Sequence, residues 1–561
     1  MLNFKKYIKD LVKEIGIDEK SIEVAKPPKE NMGDFAIPCF TINIDGLKNP
    51  HEKANFISSK LNVNKNMISK VEVVGPYINF TINREKLAEE TIKCIFEENE
   101  KYGSLKDGEG KSLLLEHTSI NPNASPHIGR SRNSIIGNFL VNLYKFDGYN
   151  VETHYFINDI GKQIAMLLVG IEKKDIMDTV TFEDMLKLYV EINDLSKEDK
   201  NVEKRVFELL NKLENGDEKV RNKFKHITDI CVEGQKKIFN KMNIKWDVFT
   251  HESDFVFGSV TKDIIEKLND SGKLKEDENG RLYVDLSDYD IPTKSPVLVI
   301  TREDKTSLYP LRDIAYTIYK MNANKDNNFI VLGEDQEVYM QQIAAVLDIL
   351  GYNSPKLVSY SFVLLNGDKM ATREGKVVLL EDFIKEAKRK IKEGFEERGQ
   401  KVDDEKISSM AASCIKYNML NVNRKRNVNF NLDEATNFQG NSAMYILYNY
   451  ARICSILEKD GNSDKYPELL KFKENLEYSL ISTLYDFPDV INTATKNQES
   501  IGITSYLHEL SQKFSKYYES IPILSESDYT VRQSRIALLN CTKTVLENGM
   551  NVLGIEPFKK L

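Results

Sequence analysis

The chain has 561 residues, 41% hydrophobic and 29% charged, with a formal net charge of −8. That length suits about four domains of ordinary size, and no apolar run reaches the roughly 18 residues of a membrane span. An acidic total does not advertise nucleic-acid binding, although a large enzyme can keep a local basic surface within it.

The opening stretch, MLNFKKYIKDLVKEIG, alternates charged and apolar groups at helical spacing. It lacks the unbroken apolar centre of a signal peptide. Six scattered cysteines (39, 94, 231, 414, 454 and 541) include no CxxC pair, which argues against a zinc site and a disulfide framework. A cytoplasmic chain with reduced thiols is expected. Residues 1–108 mix short helical and strand-like runs, and KVEVVGPYINFTI alternates as a strand. KDGEGK, at 106–111, is a polar, glycine-containing linker.

From residue 112 the pattern changes. SLLLEHT is a short apolar strand, and GRSRNSIIGNFLVNLYKFDG sets Ile135, Ile136, Phe139, Leu140 and Leu143 on one helical face. Gly148 stands where that helix would stop, and VETHYFIND is a second strand. This is a βαβ unit with a loop at its first strand's carboxyl end, where open α/β sheets bind ligands. Residues 171–241 have helical periodicity and no strand signal, as a helical insertion would. Strand-like runs return in SPVLVI, NNFIVLG and SYSFVLL, with LYPLRDIAYTIYKM and DQEVYMQQIAAVLDILG between them as helices. After about 381 the chain is helix after helix.

The loop NPNASPHIGRSRNS (121–134) puts Pro126, His127 and Gly129 at a helix N-terminus. Such an end presents unpaired N–H groups and partial positive charge to phosphate. His127 can donate to a phosphate oxygen, and Gly129 admits a base or ribose close to the backbone. Alone, HxG before a helix arises by chance. NGDKMATREGKVV (366–378) is a polar loop between two apolar strands, bearing Lys369, Arg373 and Lys376; alone, it reads equally as a solvated hairpin. Tyr309 and Asp313 are four apart, with Pro310 at a first helical position, so both share one face. Glu116 ends the strand before the first loop, Asn121 follows it, and Gln336 stands just after FIVLG. The tyrosines 445, 448 and 450 read as a core stripe before a base-stacking platform.

Together and in this order, the two loops resemble the HIGH and KMSKS motifs of class I aminoacyl-tRNA synthetases, and their surroundings resemble the arginyl-tRNA synthetase family. EHTSINPNASPHIGRSRNSIIG is similar to that family's strand–loop–helix, YPLRDIAY to its arginine-pocket helix and KMATREGKVV to its KMS(S/T)RxG loop. PPKENMGDFAIP resembles its N-terminal tRNA-contacting domain, while NSAMYILYNYARICSIL and VLGIEPFKKL resemble its anticodon-binding bundle. The resemblance implies a Rossmann-like α/β catalytic domain at 109–380, an α+β tRNA-contacting domain at 1–108, a helical connector at 381–430 and an all-α bundle at 431–561. It implies a monomer that joins L-arginine to tRNA(Arg) through arginyl-adenylate, with ATP as substrate, Mg²⁺ arriving with the ATP and no protein-held metal. Adenylate formation is expected to need bound tRNA.

By the same resemblance, His127, Arg130, Lys369 and Arg373 carry the catalysis. Ser119, Pro126, His127, Gly129, Arg130, Lys369 and Met370 bind ATP, and Glu116, Asn121, Tyr309, Asp313 and Gln336 bind arginine. A carboxylate holds a planar guanidinium through two parallel hydrogen bonds, which suits Asp313 and Glu116. Two positions depart from the motifs. Arg130 replaces the second histidine of HIGH, yet it still donates and suits phosphate geometry. Ala371 replaces a hydroxyl-bearing residue of the second motif. Arg130 also motivates an alternative, a tRNA-binding relative that has lost or altered aminoacylation. A nucleotidyltransferase for another amine or acid would need a different pocket.

Overall fold

The computed structural model describes residues 3–561 except 29–31, 257–259, 324, 366–367, 370–377 and 462–464; at Leu365, Asp368 and Lys369 the description extends to the backbone alone. The N-terminal unit contains α1 (Phe4–Glu14), β1 (Phe35–Pro38), α2 (Pro50–Lys60), β2 (Ile68–Val74), β3 (Tyr77–Ile82) and α3 (Arg84–Glu98). Its antiparallel sheet has the order β1-β3-β2. KVEVVGPYINFTI is therefore a hairpin and not one strand. Gly75, at φ +56°, makes the turn, a backbone region glycine enters at little cost. The alternation continues across the turn, so the period conceals the reversal.

Next come β4 (Ser112–Glu116), α4 (Ile128–Phe146), β5 (Asn150–Ile157), α5 (Lys162–Lys174), α6 (Phe182–Glu198), α7 (Lys200–Glu214), α8 (Glu218–Asn240) and β6 (Val248–His251). Helices α5–α8 enclose a core of their own around Leu167, Leu188, Leu209 and Phe224. They are followed by α9 (Val260–Asp270), β7 (Leu274–Glu276), β8 (Leu282–Asp285), β9 (Val297–Val299), α10 (Tyr309–Met321), β10 (Asn327–Gly333), α11 (Glu337–Ile349) and β11 (Lys356–Tyr360). The main sheet is parallel throughout, in the order β11-β10-β4-β5-β6. Leu113, Leu114 and Leu115 of β4 are fully buried, as expected for a strand covered on both faces. The strand order reverses between β4 and β10, the crevice in which such sheets hold ligands.

SPVLVI does not join this sheet. Its core, β9, pairs with β8 in a separate antiparallel sheet, β7-β8-β9. SYSFVLL is likewise divided. β11 ends at Tyr360, and β12 (Val363–Leu365) pairs with β13 (Asp368–Lys369) and with β14 (Val428–Asn429).

The remainder is helical: α12 (Leu380–Glu396), α13 (Asp404–Leu420), α14 (Leu432–Ala435), α15 (Ala443–Asp460), α16 (Asn475–Tyr485), α17 (Phe487–Asn497), α18 (Ile501–Ser520) and α19 (Tyr529–Val552). Tyr450 is buried in its core, whereas Tyr445 and Tyr448 keep some exposure. The N-terminal unit packs on these helices. The Phe4 N–H donates to the Tyr485 hydroxyl at 2.8 Å, and the Tyr102 hydroxyl donates to the Leu484 carbonyl at 2.9 Å.

Helix α4 lies hard against the end of β4 at Gly137. A Cβ there would stand 2.3 Å from Cγ of the buried His117 ring. Gly137→Ala gains helix propensity but meets an immovable neighbour, and overpacking of this kind costs about 1–3 kcal/mol. A lowered denaturation midpoint is the expected result; an unchanged or raised midpoint would show that α4 can slide on the sheet.

Candidate active site

The site is built on the turn that leaves β4. Thr118 takes φ +73°, a strained conformation for a β-branched residue. Helix α4 holds it there. The Thr118 N–H donates to Oδ1 of Asn133 at 2.5 Å, and its hydroxyl donates to Ser134 Oγ at 2.8 Å. Asn133 in turn donates to the Val331 carbonyl of β10 at 2.7 Å. The turn directs Ser119, Ile120 and Asn121 into the crevice between β4 and β10. Gln235 of α8 staples the following loop by donating to the carbonyls of Asn121 and Ala124 at 3.1 and 3.0 Å.

A cavity of about 180 Å³ opens at this point. It is smaller than the roughly 300–1,000 Å³ of pockets for drug-sized ligands, and so suits a small metabolite. Glu116, Ser119, Asn121, Asp313 and Gln336 all line it. Five sequence-chosen residues from three separate segments thus converge. Tyr309 does not line the cavity; it is 55% exposed, with its ring packed on Tyr339 at 5.4 Å between centroids. Asn121 donates to Gln163 Oε1 at 2.9 Å.

Charge in the cavity is unevenly matched. Glu116 is buried and ion-paired to Lys320, which is also buried and lies 4.4 Å from the centroid of the Tyr316 ring. Arg312, beside Asp313 in sequence, gives its charge to the buried Glu252 at 2.6 Å. Among the described residues Asp313 has no ion-pair partner, and its contact is the Tyr339 hydroxyl, which donates to Oδ2 at 2.5 Å. Desolvation pushes the Asp313 carboxyl up to about 7, partly offset by the tyrosine hydrogen bond and reinforced by the charges of Glu252 and Glu116. Sequence reasoning missed Lys320, Tyr316 and Tyr339. Helical spacing offered a signal for the first two, since they stand seven and three residues after Asp313 on the same face of α10.

The first motif loop sits beside this cavity. His127 is the N-cap of α4, its Nδ1 accepting from the Arg130 N–H at 3.3 Å. Burial and the Arg130 charge lower the His127 pKa to about 4. The ring is therefore neutral at pH 7, and with Nδ1 accepting, its proton resides on Nε2, a donor. Helix α4 has no acid in its first turn to compete for its N-terminal positive charge. Gly129 and Arg130 are partly exposed there.

The chain leaving the second loop is zipped onto the first. The Ile128 N–H donates to the Val378 carbonyl at 3.2 Å, and the Leu380 N–H donates to the Pro126 carbonyl at 2.9 Å. The chain entering the second loop is the β12–β13 hairpin, whose last residue is Lys369. Met370, Ala371, Arg373 and Lys376 lie outside the described residues, as does the Lys369 side chain.

Comparison with known proteins agrees with this arrangement. Residues 91–432 match the family model for the catalytic domain of class I tRNA synthetases (R). Residues 446–561 match the DALR anticodon binding domain, and residues 2–82 match the arginyl tRNA synthetase N terminal domain. The chain is similar to the arginine–tRNA ligase of Methanococcus maripaludis strain C6, at 34% identity over 98% of this chain and 97% of the relative. It is similar to that of Archaeoglobus fulgidus, at 32% identity over the full length of both. Among solved structures, the arginyl-tRNA synthetase of Thermus thermophilus superposes with a TM-score of 0.84 at 22% identity, over all of both chains. That of Plasmodium falciparum gives 0.79 at 21% identity, over 100% of this chain and 98% of the other. These two likenesses establish the fold.

If a guanidinium is received at Asp313, the carboxyl has to give up its proton, and binding is then expected to depend on pH. The free-state pKa is near 7, and a bound cation lowers it, so binding releases a proton. L-arginine affinity is expected to rise about tenfold from pH 6 to pH 8 and then level off. Calorimetric titration across that range checks it; a flat profile would remove Asp313 from the guanidinium.

Proposed function

The chain belongs to the arginyl-tRNA synthetase family of class I, and from that membership we propose how its own residues divide the reaction. It is an arginine–tRNA ligase, activating L-arginine with ATP to arginyl-adenylate and passing the arginyl group to the 3′ end of tRNA(Arg). Nothing in the matches supports the alternative of a tRNA-binding relative without aminoacylation.

The guanidinium is assigned to Asp313 and Glu116, with Tyr309 closing over it from the half-exposed side. Asn121 and Gln336 receive the α-amino and α-carboxylate groups. The observation that carries this reading is Asp313, which among the described residues has no ion-pair partner, while Glu116 in the same cavity and the nearby Glu252 are each paired with a cation. An α-carboxylate oxygen attacks the α-phosphorus of ATP, and the bond to the pyrophosphate oxygen breaks. His127 donates through Nε2–H as a neutral group, while Arg130, Lys369 and Arg373 oppose the charge growing on the phosphates. Ser119, Pro126, Gly129 and Met370 are assigned to holding ATP, with Mg²⁺ entering as its complex. The terminal ribose hydroxyl of tRNA then attacks the arginyl carbonyl carbon, and AMP leaves. The N-terminal unit and the bundle after 431 are assigned the tRNA, the anticodon end falling to the bundle.

Substrate choice is the first test. Charge-assisted hydrogen bonds contribute roughly 1.5–3 kcal/mol. Asp313→Asn is therefore expected to lower tRNA charging with arginine by about 10- to 150-fold while sparing ATP use. The parent should charge lysine and citrulline very poorly. Lysine lacks the planar fork, and citrulline leaves the acids without a cation. Equal charging of lysine and arginine by the parent would return the substrate to an open question.

Arg130 supplies a second test. Arg130→Ala is expected to slow arginyl-adenylate formation by about 100-fold or more, in line with the loss of one charge-stabilising donor. Arg130→His should keep much of the rate. Pyrophosphate exchange with tRNA present measures both, and a parent-like rate for Arg130→Ala would place this position outside the chemistry.

A further inference from the structure

We propose that Arg132 is a positioning residue whose buried guanidinium gathers the stem of the second phosphate loop onto the helix that begins with the first. The proposal rests on the assignment of those two loops to ATP given above. Arg132 belongs to α4 and has no exposed surface. Its Nη1 donates to the Ser361 carbonyl, to the Arg426 carbonyl at 2.8 Å and to the Phe362 carbonyl at 3.5 Å. Its Nη2 donates to the Asn423 carbonyl at 3.2 Å. Ser361 and Phe362 lead into β12, hence into the hairpin that carries Lys369. Asn423 and Arg426 form the turn between α13 and β14.

The two segments are also bonded to each other. The Ser361 N–H donates to the Arg424 carbonyl at 2.8 Å, the Phe362 N–H to Asn427 Oδ1 at 3.0 Å, and the Val428 N–H to the Phe362 carbonyl at 2.9 Å. Within the turn, Arg424 donates to the Ser359 carbonyl at 2.7 Å and pairs with Glu499 at 3.2 Å. Glu499 lies between α17 and α18. Arg132 and Arg424 thus stand together where the sheet edge, the loop stem and the bundle meet.

Among the described residues Arg132 has no carboxylate in direct contact, and burial lowers its pKa to about 10. Glu499 and Glu334 act on it only from beyond contact distance, and a buried charge without a contacting counter-charge is costly, so an apolar residue would serve packing better. What an apolar residue cannot do is hold carbonyls from two distant segments at fixed angles. A planar guanidinium can, and a single ammonium cannot. The second loop is then fastened to α4 at both ends: its entry by Arg132 and its exit by the Pro126–Leu380 and Ile128–Val378 backbone bonds. Misplacing reacting groups by about 1 Å can cost 10²-fold in rate, so the stem's register on α4 bears directly on phosphate chemistry.

The test is Arg132→Lys in the full chain with tRNA present. The kcat for arginyl-adenylate formation is expected to fall about 100-fold, with the Kd for L-arginine by calorimetry unchanged. Hydrogen exchange should accelerate at the Ser361 and Val428 amides, while α18 and α19 stay protected. A merely structural role would move arginine affinity and bundle protection as well, and that result, or a parent-like kcat, overturns the proposal. Should Arg132→Lys not fold, Asn427→Ala decides the matter, because it loosens the same junction from an exposed position. Its kcat is expected to drop about 3- to 10-fold, the worth of one hydrogen bond, and a parent-like value overturns the proposal. A parent that does not charge tRNA with arginine would instead overturn the function proposed above.

Discussion

Glu116 cannot be buried at the end of a central parallel strand without a cation, and Lys320 supplies it from α10. That pairing settles the character of the crevice. Arg312 is already engaged with Glu252, which leaves Asp313, among the described residues that line the cavity, as the acid without an ion-pair partner. An amino acid with a neutral side chain would leave that acid protonated and the cavity indifferent to it. A guanidinium completes the charge balance and offers enough donors to satisfy two carboxylates at once. Selectivity in this account arises from a deficit of one positive charge in a low-dielectric enclosure, where such a deficit weighs far more than it does in water.

In the region proposed above to hold the phosphates, geometry is the controlling feature. A neutral His127 caps the helix through Nδ1, so the residue that can donate to a phosphate also fixes the helix end that does so. Backbone bonds from Pro126 and Ile128 to the chain leaving the second loop make the two loops one unit. Because Thr118, Asn133 and Val331 link the same helix to β4 and β10, the cavity and the first motif loop share one support. Preorganised donors of this kind need no rearrangement as charge develops.

Much of this arrangement was legible in the sequence where one local rule dominates. The apolar run of β4, the helical face of α4 and the four-residue spacing of Tyr309 and Asp313 each follow from a single period, and the structure contains all three elements. What was not legible depends on tertiary pairing. SPVLVI has the composition of a buried strand but pairs antiparallel in a small separate sheet, because an apolar run does not name its partner. KVEVVGPYINFTI hides its reversal within an unbroken alternation. Lys320 and Arg132 look like ordinary helix cations until the fold buries them. The positive φ of Thr118 is imposed by Asn133, 15 residues away. Tyr309 shares a helical face with Asp313, yet the first turn of α10 leaves it more than half exposed and outside the cavity lining.

The central claim is that the crevice between β4 and β10 receives arginine side chain first. A crystal structure with L-arginine bound tests it most directly. Guanidinium nitrogens are expected within hydrogen-bond distance of Asp313 and Glu116, with the α-carboxylate toward Gln336 and the His127 loop. A reversed molecule, with its carboxylate toward Asp313, or an arginine bound outside this cavity would contradict it.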